Sequence, residues 1–110
     1  MKELSEDIEF YNKLMEDFKN LDSSDYSTAY VLSQEALITA DRWNEIMLDS
    51  VKYAKQMEIT KSEFTNYCYQ KYKILMKAHE MCRMVYRKGV YGINNSFYGE
   101  DVMWVKDIIF

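Results

Sequence analysis

Apolar residues recur at helical spacing along three long stretches of this chain. The first stretch has a 4-3-4-3 spacing, which places its apolar side chains in one continuous stripe on a helix. These residues are Leu4, Ile8, Tyr11, Met15 and Phe18. We therefore predict helix one over about residues 4–21. The polar run of residues 22–25 predicts a break, followed by the N-cap of the next helix.

The second stretch is the longest and predicts one helix over about residues 25–57. Its stripe consists of Ala29, Leu32, Ala36, Ala40, Trp43, Met47, Val51 and Ala54. The small alanine side chains in this stripe allow a neighbouring helix to approach closely. A division of this segment into two helices near Thr39 is the alternative interpretation.

The third stretch begins with the sharpest local signal in the chain. Thr60-Lys61-Ser62-Glu63 has the pattern of a capping box, and Ile59 and Phe64 occupy the two hydrophobic staple positions around it. The apolar stripe continues through Tyr67, Cys68, Tyr72, Leu75, Ala78, Cys82 and Val85. We predict helix three over about residues 61–88, closed by Gly89 in a left-handed cap.

The remaining residues predict a short C-terminal element. Val102, Val105 and Ile109 have helical spacing, whereas Asn94-Asn95 between short apolar segments favours a hairpin. The expected fold is therefore all-α: an antiparallel three-helix bundle with a short C-terminal helix or hairpin, residues 90–110, packed on it. A chain of 110 residues fits one domain, so we expect a single helical domain over 1–110.

Composition supports long helices, since the chain has no proline and only three glycines. The net charge of −4 is unevenly distributed: residues 1–50 carry four Lys/Arg and twelve Asp/Glu, a balance of −8, and residues 51–110 carry ten and six, a balance of +4. There is no signal-peptide pattern, and no apolar run approaches the ~18 residues of a membrane span. We expect a cytoplasmic chain without membrane contact.

No motif for catalysis, a cofactor or a metal ion is present, so we expect a chain that is not an enzyme and has no cofactor. The single histidine, His79, and Cys82 are three residues apart, but zinc takes about four ligands. Cys68 and Cys82 lie fourteen residues apart on one predicted helix, roughly 21 Å, too far for a disulfide. They are expected to be reduced thiols in the core.

One charged residue falls in the middle of the apolar stripe of helix three. Lys71 shares this face with Phe64, Leu75, Ala78 and Cys82. One interpretation is a lysine whose pKa is depressed by burial. The other is a stem that packs on apolar surface while its ammonium reaches water, or reaches an acid on helix one.

The opposite face of helix three is the best candidate for binding a partner. It consists of Tyr69, Lys73, Met76, Lys77, Met84, Arg87 and Lys88. Methionines and tyrosines among basic residues suit a protein interface, because methionine adapts its shape and tyrosine offers flat contact area. The alternative is that the apolar C-terminal segment folds back and covers them.

Two functions remain open on this reading. The first is a small non-catalytic protein-interaction module, meaning an adaptor, an inhibitor or an assembly component. The second is a nucleic-acid-binding accessory protein that uses the basic face of helix three, which the negative net charge disfavours. A second apolar patch on helix two, formed by Tyr30, Val31, Ile38 and Leu48, predicts cover by another chain or by the tail. Helix two is also longer than helix one, which would leave its far end uncovered. We therefore also expect that the chain forms a homo-oligomer.

Overall fold

The structure, a computed structural model, describes residues 4–91, with side chains described up to residue 88. The described chain is all-helical, with four helices and no strand. The helices are α1 (Leu4–Lys19), α2 (Tyr26–Leu48), α3 (Ser50–Met57) and α4 (Lys61–Tyr91). The all-α prediction is confirmed for these residues. The predicted C-terminal element lies outside the described residues, except for its first two, which belong to α4.

Two helix starts form as their sequences predict. The Asp25 carboxylate accepts a hydrogen bond from the Thr28 N–H at 3.1 Å and so caps α2. At the start of α4, the Glu63 N–H donates to Thr60 Oγ1 at 3.0 Å, and the Thr60 N–H donates to Glu63 Oε1 at 3.2 Å. This reciprocal pair confirms the capping box.

The prediction of one helix over residues 25–57 is wrong at Asp49. This residue leaves helical geometry at φ −109° and ψ 38°, and its N–H donates to the Ile46 carbonyl oxygen in a tightened turn. The break rotates the next helix about its axis. Val51, which the stripe placed inward, is therefore 65% exposed, whereas Tyr53 is buried.

The predicted cap at Gly89 is also wrong, since α4 continues through it to Tyr91. Glycine costs a helix interior only about 1 kcal/mol relative to alanine, so it permits an end without imposing one. The left-handed cap of the described chain instead ends α3, at Glu58 with φ 57°. There the Glu58 N–H reaches the carbonyl oxygens of Ala54 and Lys55.

The core has two kinds of helix contact. Ala29, Ala36 and Ala40 are fully buried on one side of α2, and Ser33 on that side contacts His79 of α4. We call this contact of small side chains the α2–α4 seam. The side chains of α1 that enter the core are larger, and they are Leu4, Tyr11, Leu14, Met15 and Phe18. Because Ser33 contacts His79 while Trp43 contacts Tyr67, α2 and α4 run in opposite directions.

Candidate functional site

The seven residues predicted as a partner-binding face now lie on α4, on the outside of the molecule, and we call them the α4 face: Tyr69, Lys73, Met76, Lys77, Met84, Arg87 and Lys88. Tyr69 is 47% exposed, the four basic residues are exposed, and Met76 and Met84 are half-buried. Met76 also packs against the core. The Lys73 ammonium lies 5.3 Å from the centre of the Tyr69 ring. Helical spacing places the other five residues on the same face.

Two further charged residues, which were not predicted as members of this face, also lie on it. Glu80 follows Lys77 by three residues and Arg83 precedes Arg87 by four, and all four are exposed. Their positions were readable from the same helical spacing. The face is therefore basic with one carboxylate within it.

A groove runs beside Tyr69, between the end of α2 and the first turns of α4. It is shallow and open to solvent, with a volume of about 690 Å³, and is lined by Met47, Lys61, Ser62, Thr65, Asn66 and Tyr69. Its apolar surface comes from Met47 and Tyr69, and Lys61 supplies a positive charge at its edge. This groove was not predicted from the sequence, because Met47 and Tyr69 lie on different helices. Whether they line one groove depends on the register between those helices.

A second exposed surface lies where α1 packs on α2. Phe10 is 45% exposed and Ile38 is 68% exposed, and both line a pocket of about 210 Å³. The acidic residues Glu6, Asp17, Glu35, Asp41 and Glu45 lie at helical spacing around them, together with one exposed basic residue, Lys13. We call these acidic residues, together with Phe10, Val31 and Ile38, the α1–α2 face. Val31 and Ile38 were predicted from the sequence as an apolar patch, whereas the position of α1 beside them was not predicted.

The floor of this pocket holds an ion pair that joins α1 to α2. Arg42 Nε and Nη2 donate to the two carboxylate oxygens of Asp7, each at 3.0 Å, and Asp7 is only 3% exposed. This bidentate geometry is the strong form of a charge-assisted hydrogen bond. The hydrogen bond to Asp7 raises the pKa of Arg42 above its usual value. The pair therefore fixes where α1 lies on α2.

Lys71 occupies a cage of aromatic rings contributed by three helices. Its ammonium lies 3.9 Å from the ring centre of Tyr11, 4.6 Å from that of Tyr67 and 5.5 Å from that of Trp43. We call these four residues the lysine cage. Burial lowers the pKa of Lys71, which agrees with the first interpretation of this residue. The described residues offer the ammonium no acidic partner from α1, so the ring faces supply its electrostatic contact.

The thiols and the histidine have structural surroundings. Cys68 and Cys82 are fully buried, as predicted, and burial raises the pKa of their thiols to about 11 and about 12. A thiol that stays protonated is a poor nucleophile and a poor metal ligand. His79 Nδ1 lies 2.8 Å from the Ser33 carbonyl oxygen and 3.1 Å from Ser33 Oγ. Because Ser33 is buried, this contact serves to join two helices.

No cluster of three or more metal-ligating side chains occurs within the described part of the chain. Over the same residues, no helix combines the length and the apolar character needed to cross a membrane. Comparison with protein-family models, with curated proteins and with solved structures gave no match. The two exposed surfaces are therefore the features of this chain that bear on its function.

Proposed function

We propose that this chain is a small non-catalytic protein-interaction module, and that its α4 face binds a protein partner. The scaffold in this proposal is an antiparallel three-helix bundle of α1, α2 and α4, with α3 as a connector and the C-terminal element packed on it. An adaptor, an inhibitor or an assembly component would use such a face in the same physical way.

The observation that carries the proposal is the position of Tyr69. Its ring is 47% exposed at the edge of an apolar groove, with the Lys73 ammonium over it. A solvated helix face has no need of a large ring at the mouth of a groove, since such exposure favours association. Tyrosine is among the residues that most often dominate binding energy at protein interfaces.

The surrounding charges indicate the chemistry of the partner. Lys61 lines the groove, and Lys73, Lys77, Arg87 and Lys88 extend along the same helix. A partner with acidic side chains around an apolar anchor complements this arrangement. The anchor would fill the groove and supply affinity, whereas the charges would act mainly on association rate and specificity.

A nucleic-acid-binding accessory protein is the second candidate, and the same exposed ring favours it. A single-stranded nucleic acid would stack a base on Tyr69 and place its phosphates along the lysines. Against it stand the net charge of −4 and the carboxylate of Glu80 within the face. The two candidates differ in which substitutions weaken binding: apolar truncations for a protein partner, lysine neutralisation for a nucleic acid.

Site-specific photo-crosslinking tests the proposal. A photoreactive amino acid replaces Asn66, which lines the groove, and in a matched control it replaces Asn12 on the exposed surface of α1. In lysate of the native host, we expect discrete protein adducts from position 66 that are absent from position 12. Excess unlabelled chain should compete these adducts away.

Competition by variants then assigns the adducts to the α4 face. Burying a fully exposed side chain of this size contributes roughly 1.5–3 kcal/mol, and Tyr69 is 47% exposed, so Tyr69→Ala should compete roughly threefold to tenfold less well than the unsubstituted chain. Tyr26→Ala, at an exposed tyrosine of α2, should compete normally. Equal competition by Tyr69→Ala, or identical adducts from both positions, would contradict the proposal. Adducts destroyed by nuclease would support the nucleic-acid alternative instead.

A further inference from the structure

The two exposed surfaces of this molecule are complementary to each other. We infer that the α1–α2 face of one copy of this chain binds the α4 face of a second copy. The inference rests on the proposed function, because it identifies another copy of the chain as a partner of the α4 face. It is carried by three features: opposite charge, matching apolar side chains and the location of the two faces on different helices.

The α1–α2 face is negative where it is most exposed. Glu35 and Asp41 lie three residues before and after Ile38, so helical spacing places both beside that side chain. Arg42 is the basic residue of this pocket, and it is already paired with Asp7 and lies 3.6 Å from Glu45. The face therefore offers carboxylates to an incoming cation.

The α4 face carries the opposite charge along a similar length of helix. Its exposed cations are Lys73, Lys77, Arg83, Arg87 and Lys88, and Glu80 is the acidic residue among them. Opposite potentials on two surfaces steer encounter and fix the orientation of binding. These two surfaces account for part of the division of the sequence into an acidic first half and a basic second half.

Apolar side chains lie at the centre of each face. Ile38 is 68% exposed and Phe10 is 45% exposed, at the rim of the pocket of about 210 Å³. On the other face, Met76 and Met84 are half-buried, and methionine adapts its shape to irregular pockets. A methionine of one copy inserted between Phe10 and Ile38 of the next would place the lysines near the surrounding carboxylates.

The contact is heterologous, because the two faces that meet are different surfaces of the molecule. A copy bound through its α4 face still presents its α1–α2 face to a third copy. Association of this kind continues beyond a dimer unless the rotation between copies closes a ring. It also weakens with salt, since exposed charges more than a Debye length apart are screened.

Light scattering after size exclusion tests the inference on the purified chain. At low ionic strength we expect a mass above the 13.2 kDa of one copy, increasing with protein concentration, and a return toward 13.2 kDa at high salt. Ile38→Lys on one face, and Lys73→Gln with Lys77→Gln on the other, should each yield a monomer. Asn12→Lys and Lys55→Gln change charge at exposed positions outside both faces and should leave association intact.

Mixing the two monomeric variants gives the decisive measurement. Ile38→Lys retains a normal α4 face, and the double glutamine variant retains a normal α1–α2 face, so together they should form one 1:1 complex of twice 13.2 kDa and stop there. Circular dichroism confirms that each variant is folded. A chain that is monomeric at low salt, or that associates despite Ile38→Lys, overturns the inference. Neither result affects the crosslinking test, which concerns partners in the host lysate.

Discussion

The α2–α4 seam and the lysine cage hold helices together by different means. The seam is lined by small alanine side chains that let two backbones approach, and its gain comes from close packing. The cage, by contrast, places a cation among three large rings and lies beside the bidentate pair of Asp7 and Arg42. The seam therefore stabilises the fold by close packing of small side chains, whereas the cage and the ion pair also specify where α1 docks.

Trp43 belongs to α2 and packs against α1 and α4, so removal of its ring should have the largest effect on stability. Trp43 is fully buried and makes edge-to-face contacts with Tyr11 at 6.2 Å and Tyr67 at 5.9 Å. We expect Trp43→Ala to lower the free energy of unfolding by about 3–5 kcal/mol, measured by urea denaturation. Trp43→Phe should cost less, since it keeps a ring and removes an indole N–H that has no hydrogen-bond partner among the described residues. A loss below about 1 kcal/mol for Trp43→Ala would contradict this role.

Alkaline pH should destabilise the fold through its buried thiols. The pKa of Cys68 is raised from 9.0 to about 11 and that of Cys82 to about 12 by burial, so above pH 9 the unfolded chain binds fewer protons than the folded chain. Stability then falls as pH rises, by up to about 1.4 kcal/mol per pH unit for each thiol. Lys71 acts in the opposite sense, because burial lowers its pKa below 10.5, but it is one group against four, since burial also raises the pKa of Tyr11 to about 12 and that of Tyr67 above 10.0.

Urea denaturation at a series of pH values from neutral to about 11 measures this slope. Cys82→Ala provides the control, since it lowers stability at every pH but removes one of the two thiols that titrate. Its stability should therefore fall less steeply with pH than that of the unsubstituted chain. Equal slopes would show that the buried thiol does not ionise on unfolding in this range.

The smallest expected effect concerns the charge in the lysine cage. Attraction to the rings favours the ammonium of Lys71, whereas burial disfavours it, and the two contributions offset each other. Lys71→Met keeps a side chain of similar length without the charge. We expect it to change the free energy of unfolding by less than about 1 kcal/mol in urea denaturation. A loss above about 2 kcal/mol would show that the cation itself holds the three rings together.

The helix content was predictable because it depends on local spacing and caps. The stripe of α1, the cap at Asp25 and the capping box at Thr60 all involve residues within a few positions of one another. The break at Asp49 was missed because the apolar spacing of Met47 and Val51 runs across it. An Asp-Ser pair at this point was the available signal, as both residues favour helix starts.

The exposed residues of a surface could be predicted only for one helix at a time. Tyr69 and Ile38 were identified as exposed because each can be placed on one helical wheel. The groove beside Tyr69, the pocket below Ile38 and the lysine cage each join side chains from different helices. Their existence depends on the register between helices, which the spacing along one helix does not contain. The interpretation of Lys71 stayed open for the same reason.

The shared ring of Trp43 also has a consequence for how folding can be followed in time. Its indole is carried by α2, lies against Tyr11 of α1 and Tyr67 of α4, and has the Lys71 ammonium nearby. Tryptophan emission responds to neighbouring charge and to exclusion of water. With Trp104, the second tryptophan of the chain, replaced by phenylalanine, a stopped-flow fluorescence trace would report from this one position when α1 and α4 arrive. Such a trace would therefore report the order in which α1 and α4 pack against α2 during folding.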